Sequence, residues 1–392
     1  MITSILDNDL YKATQQNAVI KLYPDANVRY AFFNRGGTVF PEGFASKLRR
    51  EVNAMACVSN LTPAQIKWLK KNCSFLPDPY IEFFAGYRYN PEEVSIVQNG
   101  GELSIIIEGP WYRTILWEVP LMALISELYF EMTVGKPPNT DCRDKGNYLD
   151  IARKKGEELE KMGAYFADFG TRRRFSSMVQ DRVVNELKTS KTFIGTSNMY
   201  LAYYHNVKPI GTEAHEFIMF HAAKYGYRMA NSIALGRWVD VYHGDLGIAL
   251  TDTFTTDDFF KSFDMMYAKL FDGLRHDSGD AIVFATKAIA HYKKLGIDPL
   301  SKTIIFSDGL NIDEVKRIHE FCKGKVKDGY GIGTHFSNDV GVKPLNMVIK
   351  MVAAQPNGEE PWVDTCKLSD VKGKHTGASE AIELCKRTLG IK

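Results

Sequence analysis

Beyond residue 160 the chain repeats one pattern: a short apolar run, then a polar loop rich in Gly, Ser, Thr and Asp. The runs read YFADFGTRRR (165–174), TFIGTSN (192–198), VKPIGTEAHEF (207–217), GIALTDTFTT (247–256), GLRHDSGD (273–280), TIIFSDGL (303–310) and GYGIGTHF (329–336). Most are separated by stretches with apolar residues at three- and four-residue spacing, such as SSMVQDRVVNELK, DDFFKSFDMMYAKLF, AIVFATKAIAHYKKLG and NIDEVKRIHEFCKG. That spacing predicts helices wrapped on a sheet. Strands alternating with helices predict a parallel sheet. Polar loops at so many strand ends predict one shared site, as on the active face of a (β/α) barrel.

Residues 1–160 read differently. SKLRREVNAMACV and TPAQIKWLKKN predict helices, the second opened by Thr62 as N-cap and Pro63 in the first turn. EEVSIVQNGGELSIIIEG predicts a hairpin turning at Asn99–Gly100. PLMALISELYFEM and YLDIARKKGEELEKM predict two more helices. NMVIKMVAA (346–354) reads as a last buried strand of the barrel, and Pro356, Gly358 and Pro361 mark a boundary before a polar tail. The expected organisation is an α+β domain over 1–160, completed by 355–392, and an irregular α/β barrel over 161–354.

Composition narrows the function. The 392 residues suffice for a barrel and a second domain with a large core. A formal net charge of +2 supplies no field for nucleic acid or an acidic membrane. No apolar run reaches membrane-spanning length; PLMALISELYF carries Ser126 and Glu127. Asp7 and Asp9 near the start do not suit a signal peptide. Cys57, Cys73, Cys142, Cys322, Cys366 and Cys385 form no CxxC pair, which predicts reduced thiols in a cytoplasmic protein.

Several loops carry chemistry. SDGL followed by NIDEVKR puts polar backbone at a helix start, an anion site. Gly329, Gly331 and Gly333 alternate before Thr334, which lets backbone N–H groups approach phosphate oxygens. Glycines also relieve crowding at strand ends, but two such loops on consecutive strands favour a phosphorylated ligand. In RHDSGD, Arg275 offers a planar fork for a carboxylate or phosphate. Asp277 and Asp280 offer oxygens to Mg²⁺ or to a cationic sugar carbon; the alternative is a surface turn with a local ion pair. His215 follows a strand end beside Gly211 and Thr212, so it should reach the barrel mouth. A lone histidine is commonly structural, yet an imidazole there can act as acid, base or nucleophile. Asp252, ending ALTD, is the best-placed carboxylate to partner it. Met219 stands where a zinc HExxH motif needs its second histidine, which excludes that motif. The chain has no P-loop, dinucleotide fingerprint or GxSxG elbow.

The ordered set DLYKATQQNAV, FFNR (32–35), FGTRRRFS, GTSN, GTEAHEF, RHDSGD, FSDGLN and GIGTHFSND resembles the ATP-using nicotinate phosphoribosyltransferases of bacteria and fungi, over essentially the whole length. The resemblance implies an irregular α/β barrel with a second domain. It implies synthesis of nicotinate mononucleotide and pyrophosphate from nicotinate and phosphoribosyl pyrophosphate. Mg²⁺ is the implied cofactor and ATP the co-substrate, coupled through a phosphohistidine at His215. Asp252 is implied as a partner of that histidine. Tyr11 and Phe169 are implied to sandwich the pyridine ring, Tyr11 arriving from the partner of a homodimer. Thr212 and Arg275 are implied to hold the nicotinate carboxylate, with Arg172 near ring and phosphates. Asp277, Ser307, Asp308, Gly309, Gly333 and Thr334 are implied around the phosphoribosyl group.

The chemistry suits these residue types. Cleaving the C1–pyrophosphate bond leaves positive charge on the ribose, as in glycoside cleavage. Mg²⁺ and basic groups neutralise the leaving group, and an aromatic sandwich fixes the ring plane. The rivals are a nicotinamide or quinolinate phosphoribosyltransferase, a barrel metal hydrolase using His215, Asp252 and Asp277 as ligands, and a non-catalytic phosphosugar-binding barrel.

Overall fold

The computed structural model describes residues 2–135, 147–371 and 374–391; Cys142 lies outside them. Strands β1 (Asn27–Asn34), β2 (Val94–Asn99) and β3 (Glu102–Pro110) come first. Six parallel strands follow: β4 (Phe166–Asp168), β5 (Phe193–Thr196), β6 (Ile248–Leu250), β7 (Gly273–His276), β8 (Thr303–Phe306) and β9 (Lys327–Ile332). The last two are β10 (Met347–Gln355) and β11 (Val363–Asp364). They form two sheets, a parallel one ordered β5-β4-β9-β8-β7-β6 and an antiparallel one ordered β11-β10-β1-β3-β2.

The parallel sheet is the irregular barrel. Its strands are buried on both faces, as sheets covered by helices are. A non-ladder segment spans the seam between β5 and β6. Ile210 N–H donates to the Thr196 carbonyl, and the Thr196 N–H to Lys208. On the other side, the Thr212 hydroxyl donates to the Ile248 carbonyl and the Leu250 N–H to the Glu213 carboxylate, at 3.2 and 3.0 Å. The 207–217 run is therefore a bridge, where its sequence suggested a strand. Pro209, at the pairing with Thr196, has no N–H with which to extend a ladder.

The 346–354 strand requires a larger correction. It is β10, and it pairs antiparallel with β1 from Asn34↔Met347 to Asn27↔Gln355. Its Met347, Ile349 and Met351 are buried while Val348, Lys350 and Val352 alternate at half burial, a two-sided pattern that suits an antiparallel sheet. The tail divides. β11 joins this sheet beside β10, whereas Leu368 N–H donates to Thr253 past the end of β6.

Local signals mostly held. Thr62 and Gln65 form a reciprocal capping box before the Pro63–Asn72 helix. The 257–271 stretch is two helices, because Asp264 caps a fresh start at Met265. In the β2–β3 hairpin Asn99 pairs with Glu102, so the turn is Gly100–Gly101, with Gly100 at φ +57°. No helix among the described residues is long and apolar enough to cross a membrane.

Backbones approach closely at β7–β8. A Cβ on Gly273 would sit 1.9 Å from the Thr303 carbonyl oxygen. Gly273→Ala is expected to destabilise the protein by about 1–3 kcal/mol, read as a lowered urea midpoint; an unchanged midpoint contradicts this packing.

Candidate active site

The C-terminal ends of the barrel strands meet at three cavities of about 360, 140 and 40 Å³, and Arg172 and Arg275 line all of them. The first also takes Asp277, Ser307, Gly309, Gly333 and Thr334. The second takes Tyr11, Phe169 and Thr212 among apolar walls from Ile194, Ile248 and Ile305. The third takes His215 and Asp277. A mostly apolar slot lined by two aromatic rings thus adjoins a polar, arginine-bearing basin.

Tyr11 enters this slot from its own chain. It lies in the first turn of the Leu10–Leu22 helix, which is tied to the barrel by Leu10 N–H to Ser197 and by the Thr14 hydroxyl to Thr212. Gly211 leaves room for it, since a Cβ there would meet the Tyr11 nitrogen at 2.8 Å. The expectation of a tyrosine from a partner subunit is therefore corrected: one chain completes this wall. Phe169 follows β4, and a Cβ on Gly331 would come within 2.4 Å of its ring. That glycine admits an aromatic ring.

His215 begins the His215–Tyr225 helix and is buried. Its Nε2 lies 3.0 Å from Asp277 Oδ2 and its Nδ1 lies 3.0 Å from Thr253 Oγ1. Burial, with Lys367 adding to it, pushes the imidazole down to about 4, against the pull of Asp252 and Asp277. It is neutral at pH 7. A carboxylate only accepts, so the proton belongs on Nε2 and Thr253 donates to Nδ1. Burial opposes ionisation of Asp277, but Arg275, His215 and Lys367 hold its carboxyl well below the usual range. Asp277 also accepts from the Ser307 hydroxyl at 2.9 Å and faces Arg275 Nη2 at 3.3 Å.

Asp252 stands behind His215, with Oδ1 3.9 Å from Nε2. Its Oδ2 accepts from Ser278 and from the Lys367 ammonium at 3.0 Å. Asp308 pairs with Lys374 at 3.6 Å at the rim. Asp280 does not join the site. It caps the Ala281–Lys294 helix and pairs with Arg317. Asp280 lines a separate cavity of about 680 Å³, larger than the others, where Lys261 and Lys287 are each paired with an aspartate. The arginine cluster splits likewise. Arg172 and Arg173 reach the basin, whereas buried Arg174 grips Asp7 with two 2.8 Å bonds.

Sequence reasoning missed Thr253, Lys367, Lys350 and Glu118. Lys350 lines the His215 cavity from β10. Burial pushes its ammonium down to about 8, with Glu118 opposing. A single lysine inside the apolar run MVIKMVAA was the available signal. Nothing local marks Lys367, because its role depends on where the tail returns.

His215, Asp252 and Asp277 place ligand atoms within 4.8 Å of one another. A fixed metal there would compete with the Lys367 ammonium on Asp252. Mg²⁺ prefers oxygen and keeps much of its water, so Asp277, half-buried at the basin edge, is the residue that suits an ion arriving with substrate.

The profile of the nicotinate phosphoribosyltransferase family matches residues 164–389, and that of the family's N-terminal domain matches 6–126. The chain belongs to the nicotinate phosphoribosyltransferase family. It is 55% identical to the nicotinate phosphoribosyltransferase of Chromohalobacter salexigens, over 100% of this chain and 99% of that one. The crystal structure of the Porphyromonas gingivalis nicotinate phosphoribosyltransferase superposes with a TM-score of 0.96 at 44% identity, covering 100% of both chains. That of Vibrio cholerae gives 0.91 at 34% identity, covering 100% and 95%.

The neutral His215 has a stability consequence. Its folded pKa lies below the unfolded value near 6.5. Above that value both states are neutral and nothing is lost. As pH falls through 6.5 towards 4, the unfolded state gains a proton that the folded state refuses, so stability falls. His215→Gln should lose less stability than wild type across that window in urea titrations; parallel losses contradict a neutral buried imidazole.

Proposed function

We propose that this protein is a nicotinate phosphoribosyltransferase that couples ATP hydrolysis to its reaction through phosphorylation of His215. The observation that carries this reading is the convergence of a Tyr11–Phe169 slot, the Arg172–Arg275 pair and a neutral buried imidazole on one basin.

Nicotinate is planar, with its carboxylate on the ring carbon meta to the nitrogen that reacts. The slot supplies ring walls, and Arg275 supplies the counter-charge. Arg275 already donates to the Glu213 carbonyl, which fixes its plane. A charge-assisted bond to it contributes about 1.5–3 kcal/mol, enough to prefer the acid over its neutral amide. The pyridine nitrogen attacks C1, the C1–oxygen bond to pyrophosphate breaks, and the nitrogen's own electron pair forms the new bond. No base is needed, so orientation supplies much of the rate. Arg172, Arg173, Gly309 and Gly333 line the basin that takes the phosphates in this reading. Mg²⁺ held through Asp277 would offset charge on the departing pyrophosphate.

His215 serves the coupling. Nδ1, the ring nitrogen that holds no proton, takes the γ-phosphoryl group. Its lone pair forms the nitrogen–phosphorus bond as the phosphorus–oxygen bond to ADP breaks, and ADP leaves. The proton that stays on Nε2 remains hydrogen-bonded to Asp277, which offsets the ring's charge. Lys350 and Lys367 flank the position where the added negative charge appears. Water later cleaves the phosphohistidine to phosphate.

His215→Ala should abolish ATP stimulation while slow transfer from nicotinate and phosphoribosyl pyrophosphate persists. Nicotinamide and quinolinate should compete poorly with nicotinate. Continued ATP stimulation of the variant overturns the coupling; equal use of the three pyridines overturns the substrate assignment.

A further inference from the structure

Glu118 was not singled out by any motif. It opens the Glu118–Thr133 helix of the N-terminal region and is buried. Both of its oxygens are engaged. Oε2 lies 2.6 Å from the Lys12 ammonium and accepts from the Tyr11 hydroxyl at 3.4 Å. Oε1 lies 3.5 Å from Arg172 Nη1. Lys12 is itself completely buried, and its second partner is Glu216 at 2.6 Å, the residue after His215. One carboxylate therefore touches an aromatic wall of the ring slot and the arginine common to all three cavities. Through Lys12 it also reaches the helix that carries the histidine.

We infer that Glu118 is a positioning residue for the pyridine substrate, holding the Tyr11 ring and the Arg172 guanidinium in one fixed relation. Arg172 has long rotatable reach, and the slot it lines holds only about 140 Å³. Without an anchor, each group must be ordered when substrate binds, and that entropy is subtracted from affinity. With the anchor, the cost is met in folding. Lys12 is held between two acids, so the anchor does not swing towards solvent.

The sign of the effect separates this role from simple electrostatics. Nicotinate is an anion. Removing a negative charge near its site should, by Coulomb's law alone, tighten binding. Removing an anchor should weaken it. The inference rests on the reading that this slot takes nicotinate, and wild-type turnover tests that reading separately.

The experiment compares Glu118→Gln, Glu118→Asp and Tyr11→Phe with wild type and with Asp280→Asn, which alters a carboxylate outside the site. Glu118→Gln should raise the nicotinate KM at least tenfold, with kcat within about threefold and a clearly smaller rise in the phosphoribosyl pyrophosphate KM, because Arg172 also lines the phosphate basin. Glu118→Asp keeps the charge beside Lys12 but is one methylene shorter, so it should show the same split with a near-normal melting temperature. Should Glu118→Gln be insoluble, Glu118→Asp carries the test. The effects of Glu118→Asp and Tyr11→Phe should be non-additive, because both break the contact between the carboxylate and the Tyr11 hydroxyl. An unchanged or lowered nicotinate KM overturns the inference, as does an equal rise for both substrates or strict additivity. Absence of nicotinate turnover in wild type overturns the functional reading instead.

Discussion

One carboxylate sets the geometry of the reaction centre. Asp277 meets His215 Nε2 at 3.0 Å, the Ser307 hydroxyl at 2.9 Å and Arg275 at 3.3 Å. These partners come from the helix after the seam, from the end of β8 and from β7 itself. Parallel strands bring such residues together only at their C-terminal ends, so the site depends on the barrel register there. The same contacts keep Asp277 ionised and fix the imidazole tautomer. A neutral histidine with a defined proton is a usable nucleophile; an imidazolium is not.

The barrel does not build the site alone. β10 supplies Lys350, and the returning tail supplies Lys367 to Asp252. The N-terminal helix supplies Tyr11 and Lys12. Two lysines thus stand near the histidine without pairing directly to it. Lys367 adds to burial in lowering the imidazole's proton affinity, and both leave positive charge available where a phosphoryl group would add negative charge. That arrangement gives the antiparallel sheet and the tail a chemical role beyond enclosing the barrel.

Much of this was legible in the chain because strand ends announce themselves. A parallel strand buried on both faces must turn polar abruptly, and every predicted polar loop except that of the 207–217 run lies at such an end. Arg275 and Asp277 were found that way, whereas Phe169 came only from the family resemblance and His215 from a run that is a bridge. The 207–217 run was read as a strand because apolar residues precede its polar loop, and only Pro209 hinted at the missing ladder. β10 was misassigned because apolar content alone does not say which sheet a strand joins. Its half-buried alternation, with Lys350 on one face, was the overlooked evidence. Asp280 resembled a site residue by proximity in sequence, but the turn after Asp277 sends it outward to cap a helix. Glu118 and Lys367 were invisible because their roles arise from long-range return of the chain, which no local pattern encodes.

The account stands on His215 as the residue that receives a phosphoryl group. Incubating the purified protein with ATP labelled at the γ-phosphate, then mapping the label under alkaline conditions, tests this most directly. The account predicts an acid-labile label on the peptide containing His215, lost on addition of nicotinate and phosphoribosyl pyrophosphate. Label on another residue, or none in a preparation that turns over with ATP stimulation, would contradict it.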